Sequence, residues 1–136
     1  MGYDTIKSGI ATRLNTLGYT ESSQAIDFKN APASEYGMRY IIKSLSGENQ
    51  EGNIIDRSFD LQEWQIQIAF ERSAQNDITE LDALHRAKDL FIKDIEKPSN
   101  WAGVAQKIMY KSWEVAEFPN YFVLMVRLEI TDIYTY

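Results

Sequence analysis

Tyr121-Phe-Val-Leu-Met-Val-Arg-Leu-Glu-Ile-Thr-Asp-Ile133 decides the fold. Phe122, Leu124, Val126, Leu128 and Ile130 form an unbroken period-2 apolar row. The opposite row begins apolar at Tyr121, Val123 and Met125, then turns polar at Arg127, Glu129 and Thr131. This is a β-strand buried on both faces at its start and on one face later. At roughly 3.3 Å per residue such a strand reaches about 43 Å. A domain of this length is only roughly 35–40 Å across. The strand must bend, or run past its own domain toward a neighbour.

The segments upstream supply what such a strand packs on. Ile6, Ile10, Leu14 and Leu17 fall on one stripe and predict a helix over Asp4–Leu17, with Gly18 where a left-handed C-cap belongs. Ala25–Phe28 reads as a short strand, and Asn30–Ser34, which contains Pro32, as a loop. Alternation predicts a strand over Tyr36–Leu45, and Trp64, Ile66, Ile68 and Phe70 mark another over Ile55–Glu71. Between them Ser46–Asn53, with two glycines and no apolar residue, reads as an exposed hairpin tip.

A second helix runs from Asp77, a candidate N-cap with Glu80 completing a box-like pattern, to its stop at Pro98. Ile78, Leu81, Leu84, Phe91, Ile92 and Ile95 form its apolar side. Lys107–Phe118 reads as a strand, and Pro119-Asn120 turns it into the final strand as an antiparallel hairpin. The expected architecture is one α+β domain over residues 1–136. A mainly antiparallel, or mixed, sheet of four to five strands carries two helices, in the order α-β-β(-β)-α-β-β.

Composition narrows the chemistry. With 136 residues the chain buries a core without staples, and with no cysteine it has no disulfide, thiolate nucleophile or Cys-based zinc site. The net charge of −6 argues against a protein that wraps nucleic acid. No apolar run approaches a membrane span, the start lacks the pattern of a signal peptide, and Ile6 breaks the myristoylation pattern. His85 is the only histidine, set within the second helix, and reads as a packing or surface residue. No Walker loop, GxGxxG, GxSxG or HExxH occurs, and Glu114 and Glu117 sit on opposite faces of their strand. Neither a catalytic apparatus nor a cofactor site is expected.

Candidate contact residues remain. The polar tip Gly47, Glu48, Asn49, Gln50, Glu51, Gly52 and Asn53 is either a solvated loop or an arm reaching a neighbouring subunit. Trp101 lies in a loop, where exposed anchoring and local packing are both open, whereas Trp64 and Trp113 read as core. The aromatic tail Asp132, Ile133, Tyr134, Thr135 and Tyr136 lies beyond what the domain's diameter covers and is expected at a subunit or partner contact.

This layout resembles the tail terminator (tail completion) proteins of long-tailed bacteriophages. It shares with them an opening helix ending at Leu17-Gly18-Tyr19, a hairpin with the polar tip Gly47–Asn53, the helix Asp77–Lys97 and the closing aromatic hairpin Lys107–Ile133. The resemblance implies a virion protein of the tail or neck, made in the host cytoplasm. It implies a homohexameric ring that ends polymerisation of the tail tube protein and joins it to the head-tail connector protein. DNA would pass through the lumen without sequence-specific binding, and no membrane is involved. Two other readings stand beside it: another neck or minor tail component or a dimeric α+β adaptor module, and a small enzyme relying on carboxylates.

Overall fold

The computed structural model describes residues 2–32, 35–54, 57–73, 77–102 and 107–135, with backbone alone for 49–54, 57, 58, 134 and 135. Helix α1 spans Tyr3–Thr16 and α2 Asp77–Ile95, and a short 3₁₀ turn covers Pro98–Trp101. The strands are β1 (Thr20–Glu21), β2 (Arg39–Ile54), β3 (Arg57–Glu71), β4 (Lys107–Glu117) and β5 (Tyr121–Thr135). They form one five-stranded sheet in the order β1-β2-β3-β5-β4. β1 runs parallel to β2, and every other pairing is antiparallel. The chain is therefore α+β with a mixed sheet.

The strand that decides the fold sits in the interior of the sheet. β5 pairs with β3 along its whole length without a register shift, from Arg57↔Thr135 to Glu71↔Tyr121. Its row Phe122, Leu124, Val126, Leu128 and Ile130 is buried against the helices, together with Tyr40, Ile42, Trp64, Ile66 and Ile68. From α1 come Ile6, Ile10 and Leu14, and from α2 Leu84, Phe91 and Ile95. α1 ends as its sequence predicts. Gly18 takes φ +97°, while its N–H bonds Asn15 O and the N–H of Tyr19 bonds Leu14 O, a paired closure of the last turn.

Polar ties fix the helices in place. The Arg13 guanidinium meets the Asp94 carboxylate through two bonds of 2.9 and 3.1 Å, joining α1 to α2. The Tyr40 hydroxyl donates to Asn15 Oδ1 at 2.8 Å, joining α1 to the sheet, and burial pushes this phenol up to about 12. Arg72 grips Asp77 and the carbonyl of Phe118, and Glu80 accepts the backbone N–H of Ser73. The two acids expected to cap α2 thus hold the turn before it to β4 and the sheet.

The second face of the sheet is covered only at one end. Phe28 and Ala31 pack on Ala69, Tyr121 and Val123, with Phe118 and Met125 beside them. The Tyr121 hydroxyl donates to Pro32 O, and Asn120 Nδ2 donates to Ala31 O. That cover explains why the second row of β5 is apolar only at its start.

Several expectations are corrected. Ala25–Phe28 is not a strand: its Phe28 side chain is spent on the second face, and the short strand is Thr20–Glu21. Ser46–Asn53 is not a plain loop: β2 continues through it to Ile54, with a register shift between Asn49 and Asn53. Gly47, Glu48 and Asn49 pair with Gln62, Leu61 and Asp60. Ladder bonds are made by backbone, so a template strand as long as β3 extends its partner whatever the side chains. Ile78 is 80% exposed and drops from the apolar side of α2, where it precedes the first turn that reaches the sheet.

Candidate assembly edges

Three successive antiparallel pairings, β2 with β3, β3 with β5 and β5 with β4, leave β2 and β4 antiparallel to each other at opposite sides of the sheet. β4 ends the strand order and is exposed along most of its length. On the other side β1 covers only Arg39 and Tyr40, and Ser22 adds one bond to Tyr40 O. Beyond that point β2 has no further strand neighbour among the described residues. Each edge thus presents a row of backbone donors and acceptors that can pair with another chain.

Both edges are shaped. A bulge at Leu45 interrupts β2 between Ser44 and Ser46, and one at Lys111 interrupts β4 between Tyr110 and Ser112. Bulges and lysines are common means of refusing indiscriminate pairing. Yet large apolar side chains stand open on these two strands: Leu45 is 43%, Met109 40% and Trp113 39% exposed. An edge that repels most strands while offering apolar contact suits one specific partner.

The bulge at Lys111 has a second effect. It carries the ammonium across β5 to Glu63 on β3 at 3.3 Å and to Glu129 at 3.6 Å, and Arg127 meets Glu63 at 3.4 Å. The Lys111 bond and the two cations hold the Glu63 carboxyl below the usual range. Together with the Gln67–Gln65 amide bond, this network makes the open face polar and internally charge-paired. On the helix face beside β4 lies a groove of about 750 Å³ between strand and α2, lined by Leu81, His85, Trp113, Glu114, Val115 and Glu117. His85 meets Trp113 edge-on at 5.4 Å, and Lys88 Nζ lies 3.9 Å over the same ring. His85 is a packing residue at a groove margin. Trp113, expected in the core, forms half of that margin.

The predicted contact residues fare unequally. Gly47 and Glu48 are exposed on the extended hairpin. Asn49, Gln50, Glu51, Gly52 and Asn53 continue its backbone, and their side chains lie outside the described residues, as do those of Tyr134 and Thr135 and all of Tyr136. Trp101 is not an exposed anchor. It is 3% exposed within the main core, and its indole N–H donates to Ile95 O at the end of α2. In the tail, 132–135 complete the ladder with β3, Asp132 is wholly buried and Ile133 half-buried. What the sequence does not mark is the pair of open edges, because Met109 and Leu45 look like any alternating apolar residue.

Among the described residues no group of three or more His, Cys, Asp or Glu gathers as a metal site would. No described helix is long and apolar enough to cross a membrane. Compared with protein-family models and with curated proteins, the chain matches none.

Proposed function

We propose that this chain is a structural ring subunit of the tail-terminator kind. Copies join edge to edge, β4 of one against β2 of the next, and the closed ring caps a phage tail tube, ends its growth and offers a face to the head connector. The observation that carries this reading is the pair of open, oppositely directed edges on one sheet. Sideways repetition places β2 beside β4 in the antiparallel sense that the sheet already uses. Such contacts are heterologous, and they close only as a ring. With the helices outward, the open face lines the hole. There Glu63 and Glu129 offset Lys111 and Arg127, so DNA slides past without being held.

A second reading is a two-fold dimer through β4 alone. It is favoured by one fact: β4 is open along its length, whereas β1 shields the start of β2. Because the chain has no cysteine, one experiment separates the two. Lys43→Cys on β2 and Met109→Cys on β4 are made singly and together, and a short bis-maleimide is added to each single variant, to their mixture and to the double variant. The ring predicts cross-linked pairs in the mixture and a ladder that stops at a closed number in the double variant. Cross-linking of the Met109→Cys chain alone, with nothing added by the mixture, overturns the ring.

A further inference from the structure

Beyond Trp64 and Ile130 the main core stops, but the β3–β5 ladder continues through Leu61↔Thr131, Asp60↔Asp132 and Phe59↔Ile133. Asp60 and Asp132 are therefore two carboxyls set directly across from each other, in the row that faces the helices. Asp132 is 0% exposed. One of its oxygens accepts the N–H of Ile133 at 2.9 Å, and the other, Oδ2, is buried with no hydrogen-bond partner among the described residues. A buried charged oxygen without a donor is among the costliest arrangements a fold can hold.

The Gln62 amide serves both carboxyls. Trp64 Nε1 donates to Gln62 Oε1 at 2.8 Å, and Gln62 Nε2 donates to Asp60 Oδ2 at 2.9 Å. On β2 the close neighbour is Gly47, where a Cβ would stand 2.9 Å from Asp60 Oδ2, so the backbone walls in this carboxylate. Glu63, Glu129 and Lys107 belong to the opposite face by register. Among the described residues the charge that acts on Asp132 is Asp60 from β3.

We propose that Asp132 and Asp60 hold one proton between them, making the outer end of the β3–β5 ladder a proton-operated latch. With the proton on Asp132 Oδ2, the lone oxygen becomes an O–H donor and the Asp60 carboxylate across the ladder accepts from it. One proton converts two repelling acceptors into a hydrogen bond. When it leaves, a buried charge faces a second charge across the ladder. Burial first, and the Asp60 charge after it, push the Asp132 carboxyl above the usual range, against the opposing pull of the Ile133 N–H and the Gln62 amide. A carboxyl whose folded value is raised stabilises the fold at low pH, and that stability is lost as pH rises through the folded value. The latch therefore closes below the folded value and loosens as pH rises through it, and it sits where the β2–β3 hairpin leaves the core.

The test is carboxyl ¹³C NMR of the full chain across pH, with the Asp132 and Asp60 signals assigned by Asp132→Asn and Asp60→Asn. Asp132 should titrate above the ordinary carboxylate range, and its midpoint should fall in Asp60→Asn. Hydrogen exchange of the amides of residues 59–62 and 131–133, corrected for intrinsic rate, should lose protection as Asp132 ionises. In Asp132→Asn, whose amide can donate as the proton does, that pH dependence should vanish. An Asp132 midpoint within or below the ordinary range overturns the latch. So does equal pH dependence of protection in the wild type and Asp132→Asn.

Discussion

Trp101 separates packing from assembly most sharply. The turn Pro98–Trp101 folds back over the end of α2, where the last carbonyls have no partner within the helix. Asn100 Nδ2 donates to Asp94 O at 2.8 Å, and the Trp101 indole donates to Ile95 O. Trp101→Ala removes a nearly fully buried indole and should cost about 3–5 kcal/mol. A domain of this kind holds about 5–15 kcal/mol in all, so much of its stability would go. Trp101→Phe keeps most of the ring volume but takes the donor from Ile95 O, a loss of about 1–3 kcal/mol. At roughly 3 °C per kcal/mol for a chain of this size, the melting point should fall by about 9–15 °C for Ala and about 3–9 °C for Phe. Thermal unfolding followed by far-ultraviolet circular dichroism measures both, and sedimentation of the folded fraction measures self-association. If Trp101→Ala melts within about 1 °C of the wild type and instead loses association, the indole is an exposed anchor and the reasoning fails.

Gly18→Ala should cost about 1–2 kcal/mol, because the site has room for a methyl but sits at φ +97°; Gly18→Asn should cost less, as urea midpoints would show. Gly47→Ala should cost about 1 kcal/mol by pressing on Asp60 Oδ2, and the loss should shrink in an Asp60→Ala background, a coupling read from a double-mutant cycle. The Arg72 guanidinium bonds Asp77 and holds its carboxyl below the usual range. A lowered folded value adds stability above the unfolded one, so this contribution should fade as pH drops below about 4 and be missing in Arg72→Gln at every pH. Urea midpoints of the two proteins that keep a constant gap into strong acid would refute this.

How legible the fold was depended on where burial alone decides. The β5 row and the α1 stripe were readable because each apolar residue there pays off only on one face, and Phe122 to Ile130 and Ile6 to Leu14 lie there. Gly18 was readable because its backbone angle excludes most other residues. The hairpin tip was misread for the converse reason. Ser46-Gly-Glu-Asn carries no apolar signal, and the ladder that extends it is made by backbone and the length of β3. Trp101 was ambiguous because only the return of the turn onto Ile95 decides its side. Trp113 follows a strand row, but β4 is an edge, and the residue stays 39% exposed beside His85. The Asp60–Asp132 opposition needs the register of two strands half the chain apart, which no local pattern encodes.

That register also sets the order of events as the chain folds. β5 follows every other element in sequence but lies between β3 and β4 in the sheet. Glu71 must find Tyr121 and Arg57 must find Thr135, so loop closure is spent before any of their contacts repay it. Until then the long apolar strand β3 pairs only with β2, and its other side is bare. Folding should therefore run on the slower scale of non-local β topologies, about milliseconds to seconds, and a half-made chain exposes a stickier edge than either edge of the finished sheet. While β5 is missing, β4 also lacks the strand it docks on, so neither side of the finished sheet's β3-β5-β4 half is yet in place.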